Sequence, residues 1–237
     1  MILEFLMDKP LLSRGIVHHH PIKFVHAMTI GASGVGKSHL NKLCISMTAL
    51  QNPSSQITIL DFKADDYHFA RGLGGRLFEF EEVKAGLENY YNMFLERQRG
   101  RCSDRSYRLL VIEELGAMLG YFGKKEAEEI KSIIGNLVFL GRSFACHTLI
   151  STQRPDSSNY NPGVRDSTNC IIALGNLSKE GKAMMFSGFQ DEMTEKHGVG
   201  SGYMLIDSAK LYSISVPKIT KLQKLEHYIK LGITRGI

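Results

Sequence analysis

The segment GASGVGKS, from Gly31 to Ser38, constrains the fold of this chain more than any other stretch. It has the spacing G-x-x-x-x-G-K-S, follows the apolar run His26–Ile30 and opens a helical pattern over Lys37–Leu50. In such a strand–loop–helix unit, glycines let backbone N–H groups turn inward, and the start of the helix adds the positive end of its dipole. The segment therefore predicts a loop that cradles the phosphates of a nucleotide.

The residue types in this loop predict a division of roles. Lys37 is expected to reach the β- and γ-phosphates of ATP, and the Ser38 hydroxyl is expected to ligate Mg²⁺. A glycine-rich turn that matches by chance is the alternative, and the flanking strand and helix argue against it. The predicted nucleotide-binding residues are Gly31, Ala32, Ser33, Gly34, Val35, Gly36, Lys37, Ser38 and His39.

Two acids follow a second apolar strand, in the sequence RLLVIEE that starts at Arg108. This is the pattern of a Walker B strand, which predicts that Glu113 holds Mg²⁺ through water and that Glu114 polarises the attacking water. The first acid of this motif is usually Asp. Glu is one methylene longer, so the metal geometry is expected to change. Two solvated acids at a strand end are the alternative.

A polar residue, Gln153, follows the predicted strand Thr148–Ser151. Its amide can donate to a phosphate and accept from water, so it suits a sensor of the γ-phosphate. An ordinary loop glutamine is the alternative.

Short apolar strands alternate with longer helical patterns, which predicts βαβ units and an α/β fold with a parallel sheet. A single domain is expected, with residues 1–24 weakly specified, a core over 25–217 and a C-terminal helical segment over 218–237. The strands are predicted at His26–Ile30, Ile57–Leu60, Leu109–Ile112, Thr148–Ser151 and Cys170–Leu174, with a hairpin of Tyr203–Ile206 and Leu211–Val216. The helices are predicted at Lys37–Leu50, Glu82–Arg99, Lys124–Phe144, Lys179–Phe186 and Lys218–Leu231.

The composition sets broad limits on location and partners. No apolar stretch approaches the roughly 20 residues of a membrane-spanning helix, so no intrinsic membrane span is expected. Four cysteines without C-x-x-C spacing favour a reducing cytoplasm over a zinc site. The net charge of +5 is compatible with a nucleic-acid partner but does not require one. Five arginines near Gly100 could meet phosphate or simply be solvated: Arg97, Arg99, Arg101, Arg105 and Arg108.

The order of segments GASGVGKS, ILDFK, LLVIEE, GRSFACHTLISTQRP and GVGSGYML resembles the motor domain of the FtsK/SpoIIIE DNA translocases. These belong to the FtsK–HerA group of P-loop ATPases, which includes coupling ATPases of conjugative elements. The similarity runs from about Val25 to Val216. It implies a RecA-like, mostly parallel sheet with helices on both faces. It also implies ATP hydrolysis coupled to movement of double-stranded DNA through a homo-oligomeric ring such as a hexamer.

The chain departs from the pattern of that group at several positions. Glu113 replaces the expected Asp, and the stretch Thr168–Ala173 lacks an arginine that the group often has there. A cation supplied by a neighbouring subunit is therefore expected from Lys182, with Lys179 as the second choice. A solvated lysine on a surface helix is the alternative.

Two other functions remain open from the sequence. One is a nucleotide-binding assembly module without significant turnover, which the Glu113 replacement favours. The other is a DNA-packaging or replication ATPase of a virus or mobile element, which would use the same chemistry.

Overall fold

A ten-stranded mixed sheet crosses the molecule in the order β2-β1-β10-β9-β8-β3-β7-β6-β4-β5. The computed structural model describes all 237 residues. The six strands from β8 to β5 in this order are parallel, and the other four are antiparallel to their neighbours. The strands are β1 (Ile2–Asp8), β2 (His19–Lys23), β3 (His26–Ile30), β4 (Gln56–Asp61), β5 (Leu77–Glu79), β6 (Arg108–Glu113), β7 (Cys146–Thr152), β8 (Cys170–Leu174), β9 (Ser201–Ile206) and β10 (Lys210–Ser215).

Helices cover both faces of this sheet, so it has a hydrophobic core on each side. One core packs beneath α2 and α8, and the other beneath α3, α4 and α5. The α/β fold with a mostly parallel sheet is therefore confirmed. No helix has the length and apolar character needed to cross a bilayer. The helices are α1 (Lys9–Leu12), α2 (Lys37–Gln51), α3 (Val83–Gln98), α4 (Leu115–Tyr121), α5 (Lys124–Leu140), α6 (Val164–Ser167), α7 (Lys179–Met185) and α8 (Leu222–Thr234).

The central strands carry apolar residues on both faces, together with buried polar residues such as His147 and Thr148 of β7, because both faces of the sheet are covered. Every residue of β3, β7 and β8 is buried. The sequence predicts these strands to within two residues at either end, since a short segment rich in apolar and β-branched residues between turn residues is a strong local signal.

Residues 1–24, for which the sequence specifies little, add a hairpin of β1 and β2 to the edge of the sheet. β1 pairs with β10, and Leu3, Phe5 and Leu6 enter the core beneath α2. A short apolar run at a chain end does not distinguish strand from helix. The segment Ile2–Asp8 is a strand because it pairs with β10.

Two helix boundaries differ from the predicted ones by four residues, and the others differ by less. α5 ends at Leu140 rather than Phe144, and the chain continues in a short 3₁₀ segment, in which Gly141 lies so close to Cys146 that a Cβ would overlap its carbonyl. α8 begins at Leu222, four residues later than expected, after an irregular stretch that follows Pro217. Neither β5 nor α4 is predicted, since each is too short to show a period.

The close pairing of β8 and β9 predicts that Gly202→Ala is strongly destabilising. Gly202 pairs with Leu174, and a Cβ there would overlap the carbonyl of Ala173. Because backbone cannot move aside cheaply, we expect a loss of about 1–3 kcal/mol in the free energy of unfolding, measured by urea denaturation. Gly198→Ala is the control, since a Cβ there meets nothing within 4 Å. Equal midpoints for the two variants would contradict this packing.

Candidate nucleotide-binding site

The residues singled out in the sequence meet at one edge of the sheet, where the parallel strands end. Asp61 at the end of β4 is in register with Glu113 at the end of β6. Ile30 at the end of β3 is in register with Thr152, which precedes Gln153. In open α/β sheets, ligands bind at the carboxyl ends of the strands.

The loop between β3 and α2 has the backbone shape that its glycines permit. Gly34 and Gly36 have φ angles of 80° and 103°, in the left-handed region that favours glycine. Gly31 passes so close to the end of β8 that a Cβ would lie 2.5 Å from the Leu174 carbonyl oxygen. The next part of the loop, from Ala32 to Gly34, is exposed, which leaves this concave turn open to a ligand.

Neighbouring segments hold the other side of the loop. The Val35 carbonyl accepts a hydrogen bond of 2.9 Å from the N–H of Gly200. The imidazole Nε2 of His39 lies 2.9 Å from the Pro217 carbonyl. The GVGSG segment and the end of β10 therefore brace the loop, and His39 contacts protein on this side.

Lys37, at the start of α2, is buried against the loop. Its Nζ donates to the carbonyls of Gly31, at 2.7 Å, and Ala32, at 3.3 Å. The same Nζ lies 3.5 Å from Oε1 of Glu114. The lysine therefore links the loop between β3 and α2 to the end of β6.

Glu114 has an unusual backbone conformation, with a φ of 56° directly before α4. Its carboxylate contacts two cations, because Lys63 Nζ lies 3.2 Å from the same Oε1 that faces Lys37. The side chain is 12% exposed. The Glu114 carboxylate is thus held between Lys37 and Lys63.

Glu113 points the other way, into the protein. Asn41 Nδ2 donates to both of its carboxylate oxygens, at 3.0 and 2.9 Å, and the Tyr67 hydroxyl donates to Oε1 at 2.7 Å. Asn41 is held in turn by Thr29, whose hydroxyl donates to Oδ1 at 3.0 Å. Burial raises the pKa of Glu113 to about 7, although the Tyr67 and Asn41 hydrogen bonds lower it.

Asp66 makes the direct contact with Ser38. The Ser38 hydroxyl donates to Asp66 Oδ2 at 2.8 Å, and Lys42 lies 3.3 Å from Oδ1. The Asp66 N–H donates to Asp61 Oδ2 at 3.0 Å, which leaves the buried Asp61 Oδ1 without a hydrogen-bond partner. Carboxylate and hydroxyl oxygens suit Mg²⁺, which prefers such ligands together with phosphate oxygens.

Gln153 and Lys182 occupy different surroundings. Gln153 is half-buried beside the loop, since the carbonyl of the preceding Thr152 accepts from the N–H of Gly31 at 3.3 Å. Lys182 lies on α7, and its Nζ donates to the Met193 carbonyl of its own chain at 2.6 Å. Lys179, on the same helix, is exposed. A role for either lysine in a neighbouring subunit stays a prediction.

Sequence reasoning missed several residues that shape the site. Asn41 lies one helical turn after Lys37 on α2, so its spacing carried a usable signal. Tyr67 and Asp66 lie in an irregular segment after β4 and carried none. The sequence marks Lys63 only as part of the ILDFK segment and predicts no role for it.

Comparison with solved structures finds several proteins that share the fold of this chain. The fold matches the cytoplasmic domain of the type VII secretion ATPase EccC of Thermomonospora curvata, with a TM-score of 0.71 and 15% identity over all of this chain and 31% of that one. It matches the pCW3 conjugation coupling protein TcpA, solved with ATPγS, with a TM-score of 0.70 and 14% identity over 90% of this chain and 65% of that one. It also matches the genome-packaging NTPase B204 of Sulfolobus turreted icosahedral virus 2, solved with AMPPCP, with a TM-score of 0.60 and 16% identity over 82% of this chain and 98% of that one. At these identities the likeness shows a shared fold.

Sequence comparison gives the relationship. The chain is 30% identical over 218 residues to the FtsK domain-containing protein YdcQ of Bacillus subtilis (strain 168), which covers 83% of this chain and 44% of that protein. No family model matches the chain. The chain is a homologue of an FtsK domain-containing protein, which confirms the resemblance read from its motifs. It spans less than half the length of this relative.

The buried Glu113 carboxyl predicts a pH-dependent stability. An unfolded chain loses this proton near pH 4.5, whereas the folded protein keeps it until about pH 7. The folded state therefore binds more protons in this window, and raising the pH lowers the free energy of unfolding. Between pH 5 and pH 7 we expect the wild type to lose about 1–3 kcal/mol relative to Glu113→Gln, measured by urea denaturation in EDTA.

Glu88→Gln, at an exposed position on α3, is the control for this comparison and should follow the wild type. Parallel pH profiles for the wild type and Glu113→Gln would show that the Glu113 carboxyl is already ionised at pH 5 in the folded protein.

Proposed function

We propose that this chain is a motor ATPase that couples ATP hydrolysis to the movement of double-stranded DNA, as part of a homo-oligomeric ring such as a hexamer. The observation that carries the proposal is the convergence of Lys37, Glu114 and the Ser38–Asp66 pair at one sheet edge. The homology with an FtsK domain-containing protein supports it.

ATP binding would use the exposed turn of the loop and the start of α2. The inward-facing N–H groups of the loop would bind phosphate oxygens, with the helix dipole adding attraction. Lys37 would exchange the carbonyls of Gly31 and Ala32 for the β- and γ-phosphates, because a charged acceptor makes the stronger hydrogen bond.

Ser38 and Asp66 would hold Mg²⁺ beside these phosphates, with Asp61 behind them. The ion would neutralise phosphate charge. The metal role predicted for Glu113 would then be indirect, since Asn41 and Tyr67 occupy both of its oxygens.

Hydrolysis would depend on Glu114 as the group that orients the attacking water. Lys63 would restrain this carboxylate when Lys37 turns towards phosphate, because both lysines contact the same oxygen. Gln153, beside the start of the loop, would contact the γ-phosphate and respond to its loss.

The proposed coupling to DNA rests on the homology with an FtsK domain-containing protein and on the net charge of the chain. The net charge of +5 suits a partner with a phosphate backbone, and a translocating ring must grip phosphates rather than bases. ATP and DNA would both be available in the cytoplasm, where we expect the chain to act.

Two alternatives keep specific support. The burial of Glu113 among neutral partners favours an assembly module with little turnover. The shared fold with the packaging NTPase B204 favours a packaging ATPase with the same chemistry.

Duplex DNA should stimulate ATP turnover by the oligomeric protein regardless of sequence, and the stimulation should fall steeply with added salt, because phosphate contacts release counterions.

Glu114→Gln should still bind ATP but lose turnover by about 10²-fold or more, since its water-orienting group is gone. Phosphate release with and without long duplex measures both effects.

Glu88→Gln serves as a matched carboxylate control on an exposed helix position. If long duplex DNA leaves ATP turnover unchanged at low salt, the result would favour the assembly module. Normal turnover by the Glu114→Gln variant would remove Glu114 from the mechanism.

A further inference from the structure

Three aromatic rings form a partly exposed cluster at the carboxyl edge of the sheet. Phe62 follows β4, Phe80 follows β5 and Tyr121 ends α4. The centroid of the Phe80 ring lies 5.5 Å from that of Phe62 and 5.2 Å from that of Tyr121, and the other two centroids are 5.4 Å apart. Phe80 is 46% exposed and Tyr121 is 47% exposed. Apolar area gathered in one exposed place marks an interaction surface, unlike apolar side chains exposed singly.

The backbone of Phe80 is also unusual, because its φ of 48° lies in the left-handed region that bulky side chains avoid. Strain of this kind persists only where the surrounding structure imposes it, and it is common at functional surfaces. We call Phe62, Phe80 and Tyr121, together with the two carboxylates that follow Phe80, the aromatic patch.

These two carboxylates, Glu81 and Glu82, give the aromatic patch a negative charge. Both are exposed, and neither takes part in an ion pair. The Tyr121 hydroxyl donates to Glu81 Oε1 at 2.7 Å, which ties the charge to the rings. The next cations along the chain from Tyr121, at the start of α5, share their surface with Glu128 and Glu129.

A second exposed apolar surface lies at the other end of α5. Phe139 and Leu140, the last residues of this helix, are 44% and 45% exposed. Arg142, two residues later, is exposed and lines one cavity together with Phe139 and Lys23. Arg105 lies against the 3₁₀ segment that contains Arg142. We call these five residues the basic patch.

The basic patch keeps a net positive charge. No ion pair of the molecule includes Lys23, Arg105 or Arg142. Arg105 donates only to backbone carbonyls. Asp207 is the one carboxylate in the cavity that Lys23 and Arg142 line. Three cations therefore face one acid.

The length of α5 separates the two patches. Tyr121 lies just before this helix, Leu140 ends it, and the helix has 17 residues, which span about 25 Å at a rise of 1.5 Å per residue. The patches therefore lie too far apart to meet within one chain, whereas those of two copies can. A contact between different surfaces of identical chains repeats head to tail, into a ring or a filament.

We propose that the aromatic patch of one copy binds the basic patch of the next copy, so that identical chains assemble head to tail. The apolar side chains of Phe139 and Leu140 cover the exposed rings. Arg142 meets the faces of these rings, which attract cations, and the carboxylates beside them. Aromatic residues and arginine are enriched at protein interfaces, and complementary charge selects the partner and its orientation.

This interface would adjoin the candidate nucleotide site. Phe62 directly precedes Lys63, and α4, which ends at Tyr121, begins directly after Glu114. Lys63 and Glu114 form the ion pair of 3.2 Å described above. A docked copy would therefore contact the two segments that hold this pair. The interface rests on the homo-oligomer of the proposed function, and it would serve an assembly module equally well.

Sedimentation velocity of the full chain over a range of concentrations tests the interface. We expect the wild type to form oligomers. Glu82→Arg and Arg142→Glu should each weaken self-association at least about tenfold, because each places like charges across the contact. An equal mixture of the two variants should restore association, because every contact in an alternating assembly again pairs opposite charges. The double variant should associate for the same reason.

Phe80→Gly gives a second route, since glycine adopts a φ of 48° without strain and the loss of the ring should weaken association. Glu88→Arg is the matched control, a charge reversal at an exposed position of α3 outside both patches, and it should associate like the wild type.

The proposal is overturned if the wild type stays monomeric throughout, if the charge variants associate as strongly as the wild type, or if their mixture fails to restore association. ATP turnover with duplex DNA is measured on the same wild-type sample. Oligomers that form through these patches but show no DNA-stimulated turnover would contradict the proposed function and support the interface.

Discussion

The buried carboxyl of Glu113 connects the parts of the molecule on which the candidate site depends. Asn41 brings α2 to it, Tyr67 brings the segment after β4, and Glu113 itself ends β6. These hydrogen bonds satisfy a polar group that would otherwise be costly to bury. The helix that carries Lys37 and Ser38 is thereby held against the strand that carries Glu114.

This arrangement separates two neighbouring acids into different roles. Glu113 turns inward and is neutralised in part by burial, which raises its pKa to about 7. Glu114, with a left-handed backbone, turns outward to Lys37 and Lys63. The Glu113 side chain therefore makes its hydrogen bonds in the protein interior. Asp66, rather than Glu113, contacts the Ser38 hydroxyl.

Local signals in the sequence predicted the loop, the central strands and the approximate helices, because spacing and apolar runs act over a few residues. The loop residues and Glu114 could be found in this way. The Ser38–Asp66 contact spans 28 positions and the Asn41–Glu113 contact 72, so neither follows from a local pattern. Arg76 and Arg108 line the same cavity only because β5, β4 and β6 are neighbours in the sheet. The register of distant strands, rather than propensity, decides such contacts.

The central claim is that the edge around Lys37 binds the phosphates of ATP. Calorimetric titration of ATP with Mg²⁺ into the wild type and Lys37→Ala tests it most directly, with Lys125→Ala, at an exposed position on α5, as the control. We expect tight binding to the wild type and at least about a hundredfold weaker binding to Lys37→Ala, because a charge-assisted contact is lost inside a largely buried site. Equal ATP affinity for the wild type and Lys37→Ala would contradict the account.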